Sequence, residues 1–369
     1  MHPTGFAGGR WIRGVRPQFG SWRMTCRLPA RLDDNSYLNR KMTPERRRSN
    51  RRSLWAQIVG VDIGGTKTAV VTWSRRAGLR EVARFATSGP ASTLADVARV
   101  IGSLELTNAA AIGVACGGPL DASRGVVLSP PNLPGWDQVP VVRTLEKRFH
   151  LPGFLMNDAN ANALAEWTFG AGRGTNSMVF LTAGTGMGAG LVLNGELYEG
   201  ACGSAGEVGH LRLAPRGPLG FGKAGSFEGF CSGGAIPNLI AFLPPAKRPR
   251  NWRDWQRSHP TTRAIAAAAA RGDRVALAVL AEVGQRLGQA MALLIDTLNP
   301  EMIVIGSLFV RCRRFVEPEM RRVIENEALV PAVQCCRIMP AKLGERVGGY
   351  GAVCAALHGL HRLSGATSR

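Results

Sequence analysis

The chain has 369 residues, of which 45% are hydrophobic, so it can bury one large core or two ordinary ones. No run of about eighteen uncharged apolar residues occurs, which excludes a membrane-spanning helix from the prediction. The eight cysteines show neither CxxC spacing nor the density of a small disulfide-bonded domain, so we expect free thiols in a reducing cytoplasm.

The formal net charge of +20 is concentrated at the start of the chain. Residues 1–54 hold 13 Lys or Arg and 3 Asp or Glu, which gives this segment +10 and leaves +10 for the other 315 residues. An Arg-rich segment without hydrophobic periodicity is typical of disorder, and we predict a basic, disordered extension. A nucleic-acid-binding tail, a targeting peptide and upstream sequence translated from too early a start codon stay open as alternatives. A secretory signal is disfavoured, because no apolar core follows the basic residues.

In chain order, the first predicted element is a hairpin in "QIVGVDIGGTKTAVVTW" at residues 57–73, whose apolar strands flank a Gly-Gly turn. A helix near 92–104, a buried strand at 110–118, a helix near 139–149 and a strand running into a helix at 154–170 follow it. This alternation of strands and helices favours an α/β architecture.

A second hairpin is predicted in "MVFLTAGTGMGAGLVLNGELY" at residues 178–198, so the two halves of the chain begin alike. Apolar residues at three- and four-residue spacings then predict a helix from Thr262 to Leu298, which Asn299 and Pro300 end. A buried strand at 301–307 and a helix from about Glu317 to Glu327 follow. The glycines of "VGGYGAVCAALHGL" predict a turn before a short apolar helix.

Both hairpin turns contain groups that suit phosphate binding: glycines that allow close approach, backbone N–H groups and a threonine hydroxyl. Neither has the spacing of a Walker loop, and a single Gly-Gly turn is more often a plain hairpin. Two such turns more than one hundred residues apart favour a nucleotide held between two lobes, and an acid beside one of them is useful only with a divalent cation. The candidate residues are Asp62, Gly64, Gly65, Thr66 and Lys67 in the first turn and Gly184, Thr185 and Gly186 in the second.

A carboxylate lies between the two hairpins, in "LMNDANANALAEW". Asn157 and Asp158 stand where a strand ends and a helix begins, so helix capping explains them as well as chemistry does. The chemical interpretation is that a carboxylate at the edge of a cleft orients a sugar hydroxyl and accepts its proton. Glu207, His210 and Glu228 follow in glycine-rich loops, where they could hydrogen-bond the hydroxyls of a sugar.

Taken in order, these motifs resemble the bacterial ROK family (repressor, open reading frame, kinase) over about residues 57–360. The resemblance implies a two-lobed, actin-like ATPase (ribonuclease H-like) α/β fold and the use of ATP with Mg²⁺. It also implies that Asp158 is the catalytic base, that Gly306 lies on the nucleotide side, and that the chain forms a homodimer. The sugar-binding residues that it implies are Gly118, Asn132, Asn157, Glu207, His210 and Glu228.

The sequence departs from the family pattern in two places. Family members hold zinc with a histidine and a C-x-C-x(4)-C stretch before the second glutamate, but here "GPLGFGKAGSFEGF" contains no cysteine. Four ligands are needed for structural zinc, so we predict no zinc and expect Phe221, Phe227 and Phe230 to hold the loop as core residues. The glycine pair expected after the nucleotide-side strand is also incomplete, since Ser307 follows Gly306.

The sequence therefore predicts a cytoplasmic, glucokinase-like hexose kinase. Its N-terminal lobe is residues 55–158, joined by a C-terminal helix at 347–369, and its larger lobe is residues 159–346. N-acetylmannosamine, mannose and fructose are alternative substrates. A ROK-type transcriptional regulator and a non-catalytic sugar-binding protein are alternative functions, although residues 1–54 show no winged helix-turn-helix pattern. We expect a small-molecule sugar as the partner, and neither specific nucleic acid nor a membrane.

Overall fold

The computed structural model describes residues 56–243, 245, 248, 250 and 252–366, all within one compact unit, Thr43–Arg369. The basic segment 1–54, predicted to be disordered, lies outside the described residues. Among the described residues, no helix is both long enough and apolar enough to cross a bilayer.

The first sheet has five strands in the order β3-β2-β1-β4-β7. Strands β1, β4 and β7 are parallel, while β2 and β3 join β1 as an antiparallel meander. Valine and isoleucine alternate with small residues at the buried positions of β1 and β4, as expected of strands covered on both faces. The strands are β1 (Gln57–Ile63), β2 (Lys67–Ser74), β3 (Gly78–Ala86), β4 (Ala109–Cys116) and β7 (Gly153–Asn157).

The second sheet repeats this plan in the order β10-β9-β8-β13-β14. Strands β8, β13 and β14 are parallel, and β9 and β10 are antiparallel to their neighbours. Its strands are β8 (Met178–Ala183), β9 (Met187–Leu193), β10 (Glu196–Tyr198), β13 (Met302–Ile305) and β14 (Arg337–Pro340). Two short hairpins complete the strands: β5 (Leu120–Asp121) with β6 (Val126–Val127), and β11 (Leu219–Gly220) with β12 (Lys223–Ala224).

Two helices pack between the sheets: α3 (Asp158–Phe169) and α11 (Val347–Ala366). A single apolar cluster contains Ala115 of the first sheet, Phe180 of the second, Leu164 of α3 and Ala355 of α11. Helices α1 (Pro90–Gly102) and α2 (Val141–Phe149) cover the other face of the first sheet. Each half of the molecule is therefore fixed to the same pair of helices.

The remaining helices cover the second sheet. Long helices α8 and α9 form its main layer, and their buried residues share one core with β8 and β13. The helices are α4 (Phe227–Cys231), α5 (Ile236–Phe242), α6 (Trp252–Arg257), α7 (Thr262–Ala270), α8 (Arg274–Leu298), α9 (Ser307–Glu327) and α10 (Val330–Cys335), with short 3-10 turns at Val208–His210, Gly233–Ala235 and Gly344–Arg346.

Three sequence predictions of helices were wrong in detail. The helix predicted from Thr262 to Leu298 is interrupted at Gly272, whose φ is +83°, and Asp273 caps a new helix by accepting from the N–H of Ala276. Helix α9 begins earlier than predicted, at Ser307, and continues through Pro318. The glycines at the start of α11 are helical, not a turn.

Candidate active site

Asn157 and Asp158 lie at the junction of β7 and α3, and they use their side chains differently. The Asn157 Oδ1 atom accepts hydrogen bonds from the N–H groups of Ala159 and Asn160, at 2.9 and 3.4 Å, so this residue caps the helix. Asp158 Oδ1 accepts from Ala159 N–H at 2.8 Å, and its Oδ2 faces Gly117, where an added Cβ would lie 3.8 Å away. The capping interpretation therefore holds for Asn157, while Asp158 stays accessible to solvent.

The electrostatics around Asp158 involve two further acids. Asp158 is open to water on one side, but protein surrounds it on the others, and this desolvation raises its pKa, with the charge of Glu207 acting in the same direction. Burial and then the charge of Asp158 raise the pKa of Asp62 to about 6. The structure thus brings together Asp62, Asp158 and Glu207, which are far apart in sequence.

The first glycine turn joins β1 to β2 and is tied to Thr87. The Thr87 hydroxyl donates to the Gly64 carbonyl at 2.7 Å, and the Thr87 N–H donates to the Thr66 carbonyl at 3.1 Å. A Cβ on Gly65 would lie 2.6 Å from the Asn132 carbonyl oxygen, so only glycine allows this approach. Lys67 is exposed at the start of β2.

The second glycine turn joins β8 to β9 and rests on Glu228. The Glu228 Oε2 atom accepts from Met187 N–H at 3.0 Å and would be 2.8 Å from a Cβ on Gly186. On the other side, Gly233 N–H donates to the Gly184 carbonyl at 2.7 Å. One Glu228 oxygen therefore supports the turn, a contact that the sequence did not predict. Thr185 is exposed at the tip.

Strand β13, predicted to lie on the nucleotide side, ends beside this second turn. Gly306 N–H donates to the Leu181 carbonyl at 2.9 Å, and the Ser307 hydroxyl would be 3.8 Å from a Cβ on Gly184. Ser307 has φ +39°, a left-handed conformation that favours glycine. The resemblance predicted a glycine at this position, and the backbone here has the conformation that a glycine would adopt more easily.

Glu207 precedes a short 3-10 turn and His210 is its last residue, and both are exposed. The His210 ring contacts the Phe221 ring edge-on, with centroids 5.2 Å apart. Phe221 is 65% exposed, so its prediction as a core residue was wrong, whereas Phe227 and Phe230 are buried. Phe221 is exposed because it occupies a hairpin turn, not a helix or strand interior.

Two glycines allow close packing on the start of α3. In β9, a Cβ on Gly190 would lie 2.5 Å from the Ala159 carbonyl oxygen, so this strand packs directly on α3. Near the first turn, a Cβ on Gly118 would lie 3.3 Å from the Asn157 amide nitrogen. The start of the helix that carries Asp158 is therefore in close contact with β9 and with the segment that follows β4.

The ROK family profile matches residues 58–358 of the chain. The chain belongs to the ROK family. Its two sheets and the helices between them form the family's two-lobed, actin-like ATPase fold, as the sequence predicted.

Relatives of this ROK protein include both enzymes and regulators. The glucokinase of Thermotoga maritima is 32% identical over 307 residues, covering 80% of this chain and 96% of the glucokinase. The xylose repressor of Caldicellulosiruptor bescii is 30% identical over 248 residues, covering 67% of this chain and 62% of the repressor. A ROK glucokinase from Streptomyces griseus, solved with glucose and AMPPNP, aligns with a TM-score of 0.67 at 28% identity, covering 82% of this chain and all of that one.

The family resemblance implies two metals, Mg²⁺ and zinc, and the residues of this chain suit only the first. Asp62 and Asp158 are oxygen donors near the first glycine turn, which suits Mg²⁺, an ion that keeps water and phosphate ligands and needs one or two carboxylates. Zinc does not fit the segment between His210 and Glu228, which lacks cysteine. Among the described residues, no group of three or more His, Cys, Asp or Glu is placed to hold a metal.

Proposed function

We propose that this ROK protein transfers the γ-phosphate of ATP to a hydroxyl of a hexose, with glucose as the first choice. The observation that carries the proposal is the position of Asp158: an accessible carboxylate at the first turn of α3, close enough to Asp62, which precedes the first glycine turn, and to Glu207 for their charges to interact. The match to a glucokinase over nearly that protein's whole length supports the same conclusion.

In this proposal Asp158 orients the attacking hydroxyl and accepts its proton. A carboxylate whose pKa is raised by burial is a stronger base than an exposed one, provided that it is ionised at the working pH. Asn157 fixes the first turn of the helix that carries Asp158. The sugar would be held by Gly118, Asn132, Asn157, Glu207, His210 and Glu228.

The phosphates would lie against the two glycine turns. Gly64, Gly65 and Thr66 present the first turn, with Lys67 as a nearby cation, and Gly184, Thr185 and Gly186 present the second, with Gly306 behind it. Asp62 would hold Mg²⁺, which neutralises charge on the transferred phosphoryl group when bound. Positioning and electrostatic stabilisation supply most of the catalysis in such reactions.

The test is sugar-dependent release of ADP by the full chain, assayed with glucose, mannose, fructose and N-acetylmannosamine. Asp158→Asn keeps the size of the side chain and removes the base, so kcat should fall by about 10²- to 10⁴-fold. Asp137→Asn, a change at an exposed acid that bonds Ser129, is the matched control and should keep wild-type rates. An unchanged rate in Asp158→Asn would remove this residue from the mechanism.

A sugar-responsive repressor is the second candidate, favoured by the similarity to xylose repressors. Its test is binding of the full chain, and of the chain without residues 1–54, to a library of duplex DNA. Tight, sequence-selective binding that a sugar releases would support the repressor. Weak binding that falls steeply with salt would indicate only the basic charge of the segment.

We also propose that the protein is a cytoplasmic homodimer, as the family resemblance implies. The exposed apolar side chains of Leu329 and Val330 give one surface on which a second copy could pack. Sedimentation equilibrium of the full chain distinguishes a dimer from a monomer.

A further inference from the structure

The hairpin formed by β11 and β12 has a costly turn. Its two-residue loop, Phe221 and Gly222, has φ values of +45° and +75°, the pattern of a type I′ turn. Glycine and asparagine favour such positions, and a bulky aromatic residue there is strained. The side chain is also 65% exposed, so burial in the core does not offset the cost.

The contacts of this hairpin converge on His210. The Phe221 ring packs edge-on against the His210 imidazole, with centroids 5.2 Å apart. From the second strand, the Lys223 ammonium donates to the His210 carbonyl at 2.6 Å. The hairpin therefore contacts both the ring and the backbone of the same residue.

The hairpin is anchored at its base by hydrogen bonds within the protein. The Arg212 guanidinium donates to the Ala224 carbonyl at 2.7 Å, so the segment that follows His210 is tied to β12. The buried Ser226 hydroxyl accepts from Gly229 N–H at 3.1 Å and caps α4. These hydrogen bonds hold the segments on both sides of the hairpin.

The same hairpin lies against the second predicted sugar ligand. A Cβ on Gly220 would approach within 2.8 Å of the Glu228 Cβ, so β11 packs directly on this residue. Glu228 in turn accepts from the backbone of the second glycine turn. The hairpin thus contacts both His210 and Glu228, and Glu228 in turn contacts the second glycine turn.

We infer that the β11–β12 hairpin is a brace that works without metal and sets the sugar-binding position of His210, with Phe221 and Lys223 as positioning residues. This inference rests on the proposed sugar site. It explains why a strained, exposed phenylalanine stands where glycine would fold more easily, since strain of this kind is often retained at functional sites.

The decisive variant is Phe221→Gly, because a structural role and a positioning role predict opposite results. Glycine relieves the left-handed turn, so the melting temperature should stay the same or rise. Loss of the ring contact should nevertheless raise the glucose KM, and the glucose Kd measured by calorimetry, by about tenfold. The kcat and the KM for ATP should stay within about twofold of wild type.

Further variants separate the two contacts. Lys223→Met should raise the glucose KM similarly. The conservative variants Phe221→Tyr and Lys223→Arg keep the ring and the cationic donor, so they should retain most of the wild-type glucose affinity. Phe242→Ala removes a half-exposed phenyl ring at the end of α5, and Lys147→Met removes an exposed ammonium on α2; both are matched controls with wild-type KM. Purified protein should contain far less than one zinc per chain, and dialysis against a chelator followed by Mg²⁺ should restore full activity.

The outcomes distinguish this inference from the proposed function. Glucose affinity within twofold of wild type in Phe221→Gly, or stoichiometric zinc whose removal abolishes sugar binding, would overturn the brace and leave the kinase intact. If the wild type binds a hexose without phosphorylating it, the kinase fails and the Kd values alone decide the brace. If the wild type binds no hexose of the panel, both are wrong.

Discussion

The folded protein holds the Asp62 carboxylate where its ionised form is disfavoured, which lowers stability at neutral pH. Its pKa is about 6 against an ordinary value of 3.8, because burial and the charge of Asp158 disfavour ionisation. A raised carboxylate pKa means that the folded state binds the proton more tightly than the unfolded state. The resulting stability is present at low pH and is lost as pH rises from about 4 through 6.

Asp62→Asn should therefore stabilise the metal-free protein at pH 8. One pKa unit corresponds to about 1.36 kcal/mol, so the gain in free energy of unfolding should reach about 2 to 3 kcal/mol at pH 8 and vanish near pH 4. Urea denaturation at both pH values measures it. Asp121→Asn is the control. Hydrogen bonds from Ser123 and Arg124 lower the pKa of Asp121, so removing this charge should not stabilise the protein at pH 8. Equal stability of Asp62→Asn and wild type at pH 8 would contradict this account.

Among the elements, β9 and α3 depend on close packing at a glycine. A Cβ on Gly190 would meet the Ala159 carbonyl oxygen and the Ala163 Cβ, each at 2.5 Å. In the same strand, a Cβ on Gly188 would lie 3.7 Å from the nearest atom, an ordinary contact. The backbone of β9 can therefore approach the helix that begins with Asp158 because residue 190 is glycine, whereas residue 188 does not need to be.

Gly190→Ala should accordingly lower the free energy of unfolding by about 3 kcal/mol, since overpacking against backbone cannot be relieved by a side-chain rotation. Gly188→Ala should change it by less than about 1 kcal/mol. Chemical denaturation of the two variants side by side provides the comparison. Similar losses in both variants would show that the packing of β9 on α3 does not set the position of the helix.

Strands and helices with a clear spacing of apolar residues were predicted well from the sequence. Those whose bounds depend on tertiary contacts were predicted poorly. The two hairpins and helix α2 were predicted from alternating and helical apolar patterns. The start of α11 was not, because its glycines indicate a turn locally. In the fold they are helical, and Gly348 leaves room for the Asp62 carboxylate, which any Cβ there would overlap. Helix α9 was predicted to begin near Glu317. Its buried residues extend back to Leu308, on the N-terminal side of Pro318, so the helix is longer than predicted.

The candidate site shows the same division. Asp158 could be singled out from the sequence because it lies at a strand end between the two glycine turns, although helix capping explained it equally well locally, and its role as the catalytic base stays a prediction. The backbone contact of Glu228 and the hydrogen bond from Thr87 could not be predicted, since each joins residues distant in sequence. Glu166 is a further example: its buried carboxylate accepts N–H groups of Ala171, Lys342 and Leu343, which holds α3 to the segment before α11.

At the scale of the whole molecule, helices α3 and α11 link the two sheets. Apolar residues of both sheets and both helices form one cluster, and the Arg362 guanidinium of α11 pairs with the Glu199 carboxylate after β10 at 3.2 Å. That ion pair is exposed and adds little to stability. The shared core gives Asp158 a fixed position relative to both glycine turns, which phosphoryl transfer requires.

The most direct test of the proposed kinase is transfer of labelled phosphate from [γ-³²P]ATP to glucose by the full chain with Mg²⁺. The wild type should form labelled sugar phosphate in equal amount to ADP, and Asp158→Asn should form it about 10²- to 10⁴-fold more slowly while still binding glucose. Glucose binding by the wild type without any labelled sugar phosphate, with glucose or any other hexose of the panel, would contradict a kinase and favour a sugar-binding regulator.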